Sequence, residues 1–320
     1  MGIQNSGTRS TPRLDLGAAV MEFIDQQKTF IGLQVAPIFK SPLKKAIFNA
    51  ITRECLTKDV DTKRAMRGNY NREGIITEEK SFDCEEHGLE GALDDGERKL
   101  YANDFDGELV TTQQIMGLLL LAQEKRHAAN LLNTTTFAGS ALYTDVSGTP
   151  WDAVGSDAIG QVKAGREKVR QNCGIDVVSL ICSKTNIDRL LLNTAIKAAI
   201  AGVKVVTEAE ILAQLAAILG VESIFTGKAI RNTANKGKAF SGADVWSDDY
   251  ALLAVVAKNA ENLQEPAIAR TILWTEDSPE NTVVEQYREE SKKSDIFRVR
   301  HHVDELIIDP YFGHMLKVDA

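Results

Sequence analysis

The sequence predicts an α+β fold: one long spine helix, a β-sheet region made partly from the end of the chain, an inserted α/β region, and an extended β-hairpin arm. Three observations carry that expectation. Residues 109–134 are apolar and helical without a break. Residues 151–266 alternate helices with short apolar strands, and after Pro266 apolar and polar residues alternate as in half-buried strands. The arm follows from charge: between Lys58 and Glu108, 23 of 51 residues are charged, against 26% for the whole chain.

A stretch so charged cannot bury enough apolar surface to offset its own ordering entropy, so it is either disordered or held from outside its domain. Its wording argues for the second. It lacks the Pro, Ser and Gln enrichment of disordered tracts and keeps Val60, Met66, Tyr70, Ile75, Ile76 and Phe82. The signs are partly segregated, with Lys58, Lys63, Arg64, Arg67 and Arg72 first and Glu78, Glu79, Asp83, Glu85, Glu86 and Glu90 after. The expectation is a two-stranded arm turning within 67–74, basic strand against acidic strand, where Gly and Asn tolerate the reversal. A lone hairpin in water is marginal, so the arm is expected to lie on a neighbouring subunit. Lys58, Lys63, Arg64, Arg67, Arg72, Glu78 and Glu79 are thus the candidate inter-subunit contacts. The competing reading is a solvated loop on an ordinary enzyme, although loops of this length without structure are uncommon in compact domains.

Taken in order, residues 1–35 read as an N-terminal arm with a short amphipathic helix carrying Leu16, Val20, Phe23 and Ile24. Pro37 and Pro42 stop regular structure before the charged arm. Thr111 with Gln114 resembles a capping box at the start of the spine helix, about 26 residues and about 39 Å long. Ser156 is a candidate N-cap, Gly174 ends that helix, and an apolar strand follows at 175–181. Thr185 opens a further helix; a short strand at 203–206 then meets Thr207 and Glu210, a full capping box. Strands are expected at 223–226, 250–257, 271–274, 282–287 and 297–304, with a turn over 277–281. The last block is too small to form a core alone and should pack on the spine helix.

At 320 residues and 35.1 kDa the chain is long enough for a large core. Its net charge of -8 and pI near 5.3 lack the footprint of a protein that grips phosphate backbones. No basic segment leads into an apolar one at the N-terminus, and the apolar run 115–121 is too short to span a bilayer, so a cytosolic protein is expected, with no membrane partner. Cys55, Cys84, Cys173 and Cys182 never form a C-x-x-C pair, and Cys173 and Cys182 read as buried structural thiols.

Enzyme signatures fail on spacing. Gly220 to Gly227 and Lys228 has six residues between the glycines where a phosphate loop has four, and Ala229 stands where a hydroxyl is needed. His301 and His302 are adjacent, so they point to opposite faces of a strand and cannot share a metal. His87, His127 and His314 read as solvated or satisfied structural residues. No catalytic residue, cofactor-binding residue, cofactor or metal ligand is expected.

The order of arm, charged hairpin, spine helix, α/β insertion and returning strands resembles the major capsid proteins of tailed bacteriophages with the Hong Kong 97-like fold. The likeness spans nearly the whole chain and rests most on Phe82 to Tyr101, Trp151 to Leu191, Asn232-Thr233-Ala234 before Val245-Trp246, and Thr271-Ile272-Leu273-Trp274 to Val318. It implies an extended loop at 36–105, a peripheral domain from 106–152 and 266–320, and an axial domain at 153–265. It also implies hexamers and pentamers in an icosahedral procapsid that expands as double-stranded DNA is packaged, enclosing that DNA without sequence-specific binding. A portal protein and, since only about 35 residues precede the loop, a separate scaffolding protein are the implied partners. The site would be the virion, with assembly in the host cytoplasm. Some relatives crosslink a loop lysine to an asparagine; Lys58, Lys63 and Lys80 lie in the loop without a matching context, so no crosslink is expected. Alternatives are the shell protein of a cellular nanocompartment, encapsulin-like, and a cytosolic α/β enzyme with an oligomerising arm.

Elementary physics supports the same mechanism. Arms that overlie neighbours make directional, heterologous contacts that close by symmetry. Each exposed ion pair is worth only about 0 to 1 kcal/mol, so a shell must sum many weak contacts.

Overall fold

Both halves of the chain converge on one strand near the C-terminus. The computed structural model describes residues 11–12, 29–101, 106–200, 207–263 and 265–319. Strand β1 (Thr11–Pro12), helical turn α1 (Gly32–Val35), β2 (Ile38–Ser41), β3 (Lys45–Ile51), α2 (Arg53–Thr57), β4 (Thr77–Asp83), β5 (Glu85–Asp94) and α3 (Asp95–Tyr101) precede the spine helix α4 (Gly107–Leu131). Then come β6 (Tyr143–Asp145), α5 (Ala158–Cys173), β7 (Ser179–Ser183), α6 (Lys184–Leu192), α7 (Thr194–Ile200), α8 (Glu208–Leu219), β8 (Ile224–Gly227), β9 (Ile230–Asn232), β10 (Gly242–Asp244) and β11 (Tyr250–Ala254). The chain closes with β12 (Ala269–Trp274), β13 (Val283–Glu289), β14 (Ser294–Ile307) and β15 (Gly313–Lys317). The helix expected near Leu16 and the strand expected at 203–206 lie outside the described residues.

β14 is the strand on which the first sheet is built. Val303 pairs with Leu273 of β12 and with Glu85 of β5, so those strands flank β14 on opposite sides. β13 continues along the β12 side, while β2 runs parallel to β12 and β1 borders β13. The spine helix lies across this sheet, burying Ile115, Met116, Leu119 and Leu120 against Leu93, Phe297 and Val299. Gly91 permits the approach, because a Cβ there would sit 2.4 Å from Ile115 Cδ1. The helix starts at Asp106, whose carboxylate accepts the N–H groups of Glu108 and Leu109, and not at Thr111.

The α/β part holds a five-stranded sheet ordered β6-β15-β11-β7-β8. Here the structure departs from the expected division, because β6 and β15 belong to segments assigned to the peripheral part. The reason is burial: β15 sits between β6 and β11, and Gly313, His314, Met315 and Leu316 are all buried, so it needs cover on both faces. Trp151, Val162, Leu180, Leu190, Leu215 and Leu253 form the core of this part. A second cluster, including Leu131, Ile181, Trp246, Leu252, Ile268 and Met315, joins it to the foot of the spine helix.

Local signals at the helix ends are mostly as expected. Thr207 and Glu210 form the full capping box, and Gly174 closes α5 at φ 76°. The N-cap of α5 is Asp157; its neighbour Ser156 is buried and donates to the Thr149 carbonyl at 3.2 Å. Gly220, at φ 72°, ends α8 before β8, which accounts for the glycine spacing there. Cys84 and Cys182 are buried and Cys173 is partly buried, with burial pushing the Cys84 thiol up to about 11. Among the described residues no helix is long and apolar enough to cross a membrane.

Candidate functional site

The arm is a hairpin, but it pairs differently from the expected scheme. β3 and β4 are antiparallel with Lys45 opposite Asp83 and Ile51 opposite Thr77, so Glu78 and Glu79 face Ala50 and Asn49. Register follows the apolar residues at the root, where Ala46, Phe48 and Phe82 cluster with Cys84, Ile272 and Trp274. Lys80 donates to the Ile308 carbonyl at 2.5 Å, and Arg53 lies 3.4 Å over the Tyr311 ring, tying the arm's root to its own body. The five basic candidates fall in residues 58–76, which form no helix or strand.

That tip is held by a few local polar bonds. Lys58 pairs with Glu73 at 2.6 Å. Arg64 donates to the Gly68 carbonyl at 2.6 Å and stacks 4.6 Å over Tyr70, while Asn71 donates to the Asp61 carbonyl at 2.7 Å. Arg67 occupies a left-handed position, φ 62°, in the turn closed by Gly68 N–H on the Ala65 carbonyl. Its apolar side chains face water: Met66 is 96% exposed, Ile75 75% and Tyr70 71%.

Part of the acidic half of the segment is paired within the chain, to arginines about two hundred residues away. β5 pairs with β14 along ten residues, which sets Glu90 beside Arg298 at 2.6 Å. Arg300 binds Glu285 at 2.8 Å and also Asp277, whose carboxylate lies 2.7 Å from His302 Nδ1. Beyond the end of β5, Asp95 takes Arg288 at 2.7 Å, and Arg98 of α3 bridges Asp295 at 2.5 Å and Glu108 at 2.7 Å. The segment expected to behave as one arm therefore divides. Residues 85–101 are docked on the sheet of the same chain, whereas residues 58–76 between β3 and β4 are largely exposed.

Beneath this lattice lies a buried polar centre. Arg126 of the spine helix holds Glu305 through two nitrogens, at 2.7 and 3.0 Å, and touches His301 Nε2 at 3.3 Å. His301 and His302 do face opposite ways, since His302 packs edge-on against Trp274. Burial pushes His127 and His301 down from 6.5 to about 4. The folded chain thus refuses protons that the unfolded chain accepts, and this contribution is present above pH 6.5 and lost as pH falls towards about 4. In urea titrations His301→Gln should flatten the fall of the midpoint across that window. An unaltered slope would mean that His301 titrates as it does in the unfolded chain.

Glu124 was not singled out by sequence reasoning. It accepts Ile31 N–H, Gly32 N–H and Trp246 Nε1, each at 2.8 Å, from within the helix interior. The available signal was a carboxylate on the same helix face as Leu120 and Ala128, both buried. Among the described residues no group of three or more His, Cys, Asp or Glu could hold a metal ion.

Solved structures share this architecture over nearly its full length. A phage-related protein from Bordetella bronchiseptica RB50 matches with a TM-score of 0.72 at 18% identity, covering 97% of this chain and 98% of that one. The virus-like particle from Pyrococcus furiosus matches at 0.57 and 11% identity, covering 95% and 98%. The capsid of cyanophage P-SCSP1u matches at 0.57 and 11%, covering 99% and 90%. No family model and no curated protein matches the sequence. The chain has the α+β fold of phage capsid subunits, the Hong Kong 97-like architecture expected from the residues.

Proposed function

We propose that this chain is the structural subunit of an icosahedral bacteriophage head, which self-assembles into hexamers and pentamers and encloses packaged double-stranded DNA. The observation that carries the reading is the arm tip, with exposed Met66, Tyr70 and Ile75 beside Arg64, Arg67 and Arg72 on a segment that the rest of the chain does not cover. A neighbouring copy supplies the missing surface, and Lys58, Lys63, Glu78 and Glu79 flank the contact. In this reading the exposed part of the extended loop is 58–76, the spine helix and six-stranded sheet form the peripheral domain, and the five-stranded unit forms the axial one. The role is structural and not enzymatic, and it needs no cofactor. A separate scaffolding protein and a portal protein are the partners in assembly, in the host cytoplasm, and the mature location is the virion. A cellular particle shell is the second reading, favoured by the likeness to the Pyrococcus furiosus particle.

Electron microscopy of the purified chain, alone and with a scaffolding protein, tests the proposal. Uniform closed shells are the expected result. Small stable oligomers under both conditions would refute it, and shells that carry protein cargo in place of DNA when isolated from cells would select the second reading.

A further inference from the structure

The α/β part carries a locally basic stretch. From Ser223 to Ala243 the chain contains Lys228, Arg231, Lys236 and Lys238 and no Asp or Glu, in a protein of net charge -8. This stretch forms β8 and the β9–β10 hairpin, in which Ile230 pairs with Asp244 and Asn232 with Gly242. Lys228 is neutralised by Glu208 at 2.8 Å. Among the described residues no carboxylate lies within ion-pair distance of Arg231, Lys236 or Lys238, and all three are exposed.

The hairpin is also pre-shaped. Its base is pinned by Trp246, which is buried against Gly227 so closely that a Cβ there would lie 2.3 Å from the indole ring. Val245 N–H closes on the Ala229 carbonyl at 2.9 Å. At the tip the Asn232 side chain accepts Ala234 N–H at 3.0 Å and Ser241 N–H at 3.1 Å, while Thr233 N–H donates to the Ser241 carbonyl at 2.8 Å. Gly237 makes the reversal at φ 83°. Three cations and the hydroxyl and amide groups between them are held in one frame, with Phe240 68% exposed beside them.

Unneutralised Lys and Arg interleaved with Asn, Ser and Thr is the chemistry that holds nucleic-acid phosphates without reading bases. We infer that the β9–β10 hairpin is a sequence-independent contact for duplex nucleic acid, made through Arg231, Lys236 and Lys238. The arm tip is also basic, but there Asp59, Asp61 and Glu73 are mixed among the cations and Lys58 is already paired. The inference goes beyond the shell reading and does not require shells to form.

Fluorescence anisotropy of the full chain with two unrelated 20-base-pair DNA duplexes tests it. Three phosphate contacts predict that log affinity falls with log salt at a slope of about -2.7, which is about 40-fold weaker binding at 200 mM than at 50 mM salt. The variant R231Q/K236Q/K238Q should bind on the order of tenfold or more weakly at low salt with the slope near zero. Its far-ultraviolet circular dichroism and thermal midpoint should match the wild type. R64Q/R67Q/R72Q, in the arm, should keep both affinity and slope. Wild-type binding without salt dependence, equal binding by the hairpin variant, or equal loss in the arm variant would each overturn the inference. So would a hairpin variant that keeps DNA binding but loses self-association in sedimentation, because the surface would then belong to a second copy of the chain.

Discussion

Replacing Arg64, Arg67 and Arg72 by glutamate is expected to abolish particle formation while shifting the thermal midpoint of the subunit by no more than about 3 °C. The three side chains lie in the exposed stretch between β3 and β4, and among the described residues their side-chain bonds amount to Arg64 on the Gly68 carbonyl and on the Tyr70 ring and hydroxyl. Their loss costs folding little, since exposed substitutions usually change stability by about 0.5 kcal/mol or less. In trans the cost is different in kind. Each contact is worth about 0 to 1 kcal/mol, but reversal turns attraction into repulsion in every copy of a repeating contact. Sedimentation velocity and electron microscopy read the first quantity and calorimetry the second. Normal particles would remove the arm from the assembly contact, and a midpoint lowered by ten degrees would place these arginines in the subunit's own fold.

Glu124→Ala is expected to be the most damaging single change to the fold itself. It would strip the acceptor from two backbone N–H groups and the Trp246 indole, all buried, which bind the segment at Ile31 and the base of the β9–β10 hairpin to the spine helix. Orphaned buried donors cost about 1 to 3 kcal/mol each, so a loss of about 3 kcal/mol or more in urea denaturation follows. Glu124→Gln keeps one acceptor and should lose less. The pH dependence adds a check on the cause. Burial holds the Glu124 carboxyl above its ordinary 4.5 despite the three donors that oppose the shift. The folded chain therefore binds that proton more readily, so its stabilising contribution is present below pH 4.5 and fades as pH rises through the folded value. The advantage of the wild type over Glu124→Gln should shrink accordingly with rising pH. A constant gap would mean the carboxylate is as comfortable inside as in water.

Wherever the governing interaction was local, the sequence reading and the structure agree closely. The capping box at Thr207 and Glu210, the left-handed close at Gly174 and the alternating strand around Phe297 to Asp304 each depend on residues within a few positions of one another. The spine helix was legible for the same reason, although its cap at Asp106 was missed because a nearby Thr and Gln offered a rival motif. The β9–β10 hairpin passed unnoticed even though its signal, twenty-one residues without an acid, was present in composition alone.

What residue order determined by itself was the inventory: one long apolar helix, an α/β insertion, late strands, and a charged segment with an excess of cations at its start and anions at its end. What only the tertiary structure decided was who partners whom. Glu90 of β5 found Arg298, Asp95 of α3 found Arg288, Arg98 of α3 found Asp295 of β14, and the last strand left its neighbours to become a central strand of the other sheet. Period and capping act over one or two turns of chain, whereas strand register and ion pairing are settled by which distant apolar faces bury each other. Once those faces meet, Glu90 of β5 and Asp95 of α3 are taken by Arg298 and Arg288 of the same molecule, while Lys63, Arg67 and Arg72 of the tip stay exposed.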